Sequence, residues 1–224
     1  MQRKQIKEGR KNTMFDSRSF KTSALTQLKG RWTIPCIASL ILLAIFAIIG
    51  ESSILTYGTL GSILSAFIYG VSEIAYINIF VLLYLSNDRI KFSDFTDGFS
   101  DFIRGFLGML WMSLWLFLWA LLFVIPAFVK FFAYSQMFFV LSDNPKIGVI
   151  KAMNISKILT KGHKADLFVL ALSFIGWYIL GIISCGILFV WIIPYATMTF
   201  TNAYYYLKQE SIRTGVLTPA DFEK

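Results

Sequence analysis

Six stretches of the chain stay apolar long enough to enter a bilayer: residues 32–50, 60–85, 106–125, 127–142, 167–183 and 187–206. A helix rises about 1.5 Å per residue, so about 20 apolar residues cross a hydrocarbon core about 30 Å thick. Residues 106–141 are too long a run for one span and slightly short for two. Charge decides between these, because one span would carry Lys146, Lys151, Lys157, Lys161 and Lys164 to the outer side, whereas cationic loops stay inside. The expectation is a tight helical hairpin turning near Ile125 and Pro126, with a short, tilted second arm.

Two further stretches alternate with helical period without being apolar throughout. In residues 17–30, following the capping residues Asp16 and Ser17, Phe20, Ala24, Leu25, Leu28 and Trp32 cover one arc while Ser19, Thr22, Ser23, Thr26 and Gln27 cover the other. A helix lying on the bilayer and a helix packed on the protein's own cytoplasmic loops fit this pattern equally. In residues 145–161, Asp143 or Asn144 reads as the cap, Pro145 as the first helical residue and Gly162 as the stop. Lys146, Lys151, Lys157 and Lys161 fall within an arc of about 140°, opposite Val149, Ala152, Met153, Ile155, Ser156 and Leu159. This lysine row either reads anionic headgroups or a partner, or is positive charge held inside by topology.

The pattern describes an all-α membrane protein with six transmembrane helices and with N-terminal and central amphipathic cytoplasmic helices. A basic tail over residues 1–16 precedes a membrane domain over 17–206, and a polar tail over 207–224 follows. The mixed charges of residues 86–104 read as a solvated loop. Both termini are expected on the cytoplasmic side of a bacterial membrane, with Lys130 the one Lys or Arg left near the outer face.

Composition sharpens this. Hydrophobic residues make up 56% of the chain and mean hydropathy is +0.64, well above soluble domains. The net charge of +8 sits beside apolar runs, so the lipid bilayer, anionic lipids and another membrane protein are the expected partners, and nucleic acid is not. No cleavable leader is expected, since nine Lys or Arg residues precede the first apolar run without an apolar core. Cys36 and Cys185 fall in opposite leaflets, roughly 25–30 Å apart, too far for a disulfide.

Motifs for soluble chemistry are missing: His163 stands alone, and there is no phosphate loop, dinucleotide fingerprint or nucleophile elbow. No catalytic residue, cofactor or metal is expected. Glu73 is the polar residue out of place, about 20 Å below the outer end of its span. Gln136, Thr197 and Thr199 reach similar depths and are its expected partners, with Lys130 farther off; Asn78, Tyr134, Pro194 and Asn202 could widen a polar interior. Such a group either lines a hydrated path or donates a hydrogen bond as a neutral acid.

The segments FVIPAFVKFFAYSQMFFVLSDNP and SDNPKIGVIKAMNISKILTKGHKADLFVLALSFIGWYILG, with ALTQLKGRW before them, resemble a bacterial integral membrane family, domain of unknown function 975. The resemblance spans about residues 17–206 and implies a six-helix protein. It is also distantly similar to the membrane domain of some glycerophosphodiester phosphodiesterases, whose catalytic barrel is missing here, so that activity does not carry over. Two functions follow: a non-enzymatic scaffold or accessory subunit contacting lipid or a partner through Lys146, Lys151, Lys157 and Lys161, or a small transporter or channel-like protein built around Glu73.

Overall fold

In a computed structural model, which describes residues 15–52, 58–86 and 91–222, every regular element is helical. The helices are α1 (Ser17–Leu28), α2 (Thr33–Ser52), α3 (Gly58–Leu85), α4 (Phe92–Asp97), α5 (Phe102–Leu122), α6 (Val124–Tyr134), α7 (Met137–Asp143), α8 (Val149–Leu159), α9 (Lys164–Leu172), α10 (Ile175–Ile183) and α11 (Phe189–Arg213). Short 3-10 turns occupy Gly98–Asp101 and Pro219–Phe222. Most of the expected basic tail, and Asp88 and Arg89 of the charged loop, lie outside the described residues.

Among the described residues, four segments are long and apolar enough to cross a membrane: Phe67–Leu85, Ser93–Leu122, Val124–Asp143 and Lys164–Ile183. A fifth arises if α1 and the start of α2, bent by 104° at their junction, count as one. The last expected span falls in α11, whose second half is rich in buried polar residues.

α7 and α11 form the centre. All of Met137, Phe138, Phe139, Val140 and Leu141 are buried, as are Tyr204 and Tyr205 opposite them. A second apolar cluster joins α1, α2, α3 and α11 through Ala24, Leu28, Leu42, Phe80 and Met198. α3 and α5 cross where both lack a side chain: a Cβ on Gly70 would stand 2.4 Å from the Gly105 carbonyl oxygen, and one on Gly105 2.5 Å from that of Gly70. Only glycine at both positions permits this approach.

Several expected boundaries shift, for local reasons. The hairpin turns at Phe123, whose extended backbone separates α5 from α6, and Pro126 sits inside the first turn of α6. The second arm is not continuous but breaks at Ser135 and Gln136. The fifth apolar run likewise breaks at Ser173 and Phe174. The central amphipathic helix starts at Val149 rather than Pro145, with Gly148 at its cap, because Asp143 ends α7 and spends its carboxylate on α11. The charged loop is partly folded: Phe95 is buried, and Gly98 packs on Ala75 so closely that a Cβ would stand 2.7 Å from its Cα. Residues 207–213 continue α11, and Leu217 and Phe222 beyond it are buried, so this stretch packs back on the bundle.

Candidate functional site

The residues grouped around Glu73 by depth separate into four places. Glu73 is half-buried on α3, and among the described residues it makes no hydrogen bond or ion pair. Its carboxylate lies close enough to the hydroxyl of Tyr76 to act on it electrostatically, and Tyr76 also has Thr197 within reach. That hydroxyl lies 2.7 Å from Ser39 Oγ, and since Ser39 donates to the Pro35 carbonyl at 2.8 Å, Tyr76 is the donor between them. Thr199 is buried on α11 and donates to the Tyr195 carbonyl at 2.8 Å. Gln136 lies at the α6–α7 break, and Lys130 on the hairpin, 4.4 Å from the Trp119 ring centre. Asn202 donates to Gln27 Oε1 at 2.7 Å and to the Met198 carbonyl. Most of these hydrogens go to carbonyls of the preceding turn, a pattern that satisfies the helix rather than presenting donors to a path.

At the α6–α7 break, α8 supplies what the interrupted helix lacks. Ser156 Oγ donates to the Ala133 carbonyl at 2.8 Å and accepts from the Gln136 backbone N–H at 3.2 Å, while Thr160 Oγ1, which donates to the Ser156 carbonyl at 2.8 Å, stands 3.3 Å from the Ala133 oxygen. The face expected to be apolar, Ala152, Met153, Ile155, Ser156 and Leu159, is the buried face, but it covers the protein's own broken helix. Gln136 Oε1 is left without a partner among the described residues.

Three cations serve helix ends in the same way. Arg104 donates to the carbonyls of Leu141, Asn144 and Ile147 at 2.8–3.0 Å and pairs with Asp101 at 2.9 Å, tying the α7–α8 turn to α5. Arg31 donates to the Ser86 carbonyl after α3 at 2.9 Å, and Lys21 to the Ser173 carbonyl after α9 at 3.0 Å. Positive charge at a helix C-terminus meets unpaired carbonyls and the negative end of the helix dipole.

The lysine row divides along α8. Lys146 and Lys161 are exposed, and Lys151 edges a cleft of about 690 Å³ between α5 and α8 whose walls include Leu107, Trp111, Val149 and Ile150, with Arg104 at one end. Lys157 turns to the hairpin, 5.8 Å from the Trp115 ring centre and 5.5 Å from that of Tyr134. The outer walls of α5 and α6 are strongly exposed, with Leu121, Leu122, Phe123, Val124 and Ile125 all more than 60% accessible.

One constellation escaped sequence reasoning. The carboxylate of Asp143, 5% exposed, accepts from Tyr204 Oη at 2.9 Å and Tyr205 Oη at 2.7 Å and pairs with Lys208 Nζ. Tyr205 in turn stacks on Tyr84 of α3 with ring centres 3.9 Å apart. Asp143 precedes Asn-Pro and reads as a cap; the available signal was Tyr204 and Lys208, one turn apart on a helix. Beyond the spans, Glu210 is held below the ordinary carboxylate range by the Arg213 guanidinium, and Asp221 by the Thr218 N–H and hydroxyl.

Among the described residues no group of His, Cys, Asp and Glu is placed to hold a metal ion. A family model described as protein of unknown function (DUF975) matches residues 14–134 and 123–211. No curated protein and no solved structure matches the chain.

Proposed function

The chain belongs to the DUF975 family, and because that membership carries no reaction with it, we propose a function from the geometry: a membrane-embedded, non-enzymatic scaffold or accessory subunit that holds anionic lipid or a partner through its basic face. The cleft between α5 and α8 carries this reading, since it joins an apolar wall continuous with lipid-exposed α5 to cations on its rim. Six apolar segments enter a bacterial cytoplasmic membrane, both termini stay cytoplasmic, and α1 and α8 lie at the inner interface. Replacing Lys146, Lys151, Lys157 and Lys161 together with Gln should weaken binding of the purified protein to vesicles containing phosphatidylglycerol, by up to about 1 kcal/mol per charge. Unchanged affinity would leave those lysines a purely topological role.

A second reading rests on Glu73, whose carboxylate makes no hydrogen bond or ion pair among the described residues. In it, Glu73, Tyr76 and Thr197 line a proton- or ion-linked path. Glu73→Gln should then abolish flux in a liposome assay with the fold intact. Equal proton and cation leak through wild type and variant would exclude it.

A further inference from the structure

We infer that Lys130, Lys157 and Lys164 form one binding site for the phosphate of an anionic phospholipid at the foot of the α5–α6 hairpin. It rests on the lipid-contacting reading above and gives it a site outside the exposed row of α8.

The lysines come from three elements, α6, α8 and α9. Trp115 and Trp119 stand one turn apart on α5, and Lys130 and Tyr134 one turn apart on α6. Lys130 lies against Trp119, and Lys157 against both Trp115 and Tyr134, so the two ammonium groups occupy neighbouring turns on one side of the hairpin. α9 docks on the same arm through Phe168, whose ring centre is 5.6 Å from those of both Phe128 and Phe132, the residues flanking Lys130. Lys164 is one turn before Phe168, and Lys130 lies in the field of both Lys157 and Lys164.

Among the described residues no carboxylate answers these charges. None of the three lysines is in an ion pair, Lys157 donates only to the neutral Asn154 Oδ1, and Asp166, two residues from Lys164, is held by His163 at 2.8 Å. Lys130, half-buried beside an aromatic ring and in the field of half-buried Lys157 and Lys164, calls for an anion supplied from outside. The adjoining surface chooses its kind: Leu118 and Leu122, one turn on from Trp115 and Trp119, are exposed, and Phe123 at the tip follows them. A dissolved anion would satisfy the charge and leave that wall bare, whereas an anionic phospholipid satisfies both. From Lys130 to Val124 is about 9 Å along the helix, within the depth of one leaflet.

The test uses the full chain in nanodiscs of phosphatidylcholine with and without phosphatidylglycerol, with retained lipid counted by native mass spectrometry. Lys130→Gln and Lys164→Gln should each lower phosphatidylglycerol retention about fivefold and the Lys130/Lys157/Lys164→Gln triple variant by more, while the triple Lys→Arg variant retains it. The Lys146/Lys151/Lys161→Gln variant should keep most of it. Wild-type retention in both single variants would overturn the site, as would equal retention of phosphatidylcholine or ready displacement by inorganic phosphate. Loss in the Lys146/Lys151/Lys161 variant alone would sink this site and spare the broader lipid reading; loss in no variant would sink both. Should the triple Gln variant fail to fold, the two single variants decide.

Discussion

Arg104 is the residue on which the α7–α8 turn depends. Its Nη2 gathers three carbonyls that no helix can reach while Nη1 holds Asp101, a division between two nitrogens that a single lysine ammonium cannot make. Arg104→Gln should destabilise the protein by about 2–4 kcal/mol, and Arg104→Lys should recover little of it, as read from thermal unfolding in detergent. Asp143 offers the complementary case of a buried anion with every oxygen engaged. Asp143→Ala should cost about 3–5 kcal/mol by stranding Lys208, while Asp143→Leu with Lys208→Met should cost clearly less than the sum of the single changes. Glu210 gives a pH dependence. Its folded value lies below the ordinary 4.5, so the stability it contributes is present above that pH and lost as pH falls from 4.5 through the folded value. Amide exchange at residues 207–213 should therefore quicken in that acid window, and Glu210→Gln should flatten the change.

Among the elements, the α3–α5 crossing has the least tolerance. Gly70→Ala or Gly105→Ala places a methyl group against backbone that has no rotamer to yield, and each should cost at least about 2 kcal/mol in melting experiments. Gly176→Ala on α10 meets nothing within 4 Å and should be neutral or slightly stabilising, which separates the crossing from a general effect of losing glycine. The broken helices α6–α7 and α9–α10 follow one rule: backbone groups freed at a break persist in an apolar setting only if other chain segments satisfy them. Ser156 does this for the first break, and Lys21 for the second.

For the whole molecule, the consequence lies in depth. Lys130, expected near the outer face, shares its surroundings with Lys157 and Lys164, so on the proposed placement of α8 at the inner interface the hairpin tip at Phe123–Ile125 belongs about 9 Å beyond these lysines. In a Cys36→Ala, Cys185→Ala background, Ile125→Cys should resist a membrane-impermeant maleimide applied from outside and be quenched, once labelled with a fluorophore, by mid-leaflet nitroxide lipids. Ready labelling from outside would show that the tip crosses the membrane. Either outcome leaves the parity of membrane crossings unchanged, because a hairpin returns the chain to its starting face.

Because period and hydropathy act within one element, the residue pattern alone determined the helical class, the places where apolar runs fall and, within α1 and α8, most of the residues that are buried, though Leu25 of the expected apolar arc is exposed. It also located the hairpin to within a few residues. The pairing of Asp143 with Lys208, the carbonyls gathered by Arg104, the Gly70–Gly105 approach and the placing of Lys130 near Lys157 and Lys164 join residues 27 to 65 positions apart, where no local period carries a signal. Only the packed tertiary structure decided those contacts, since each exists to satisfy a charge, a carbonyl or a surface that another element leaves open.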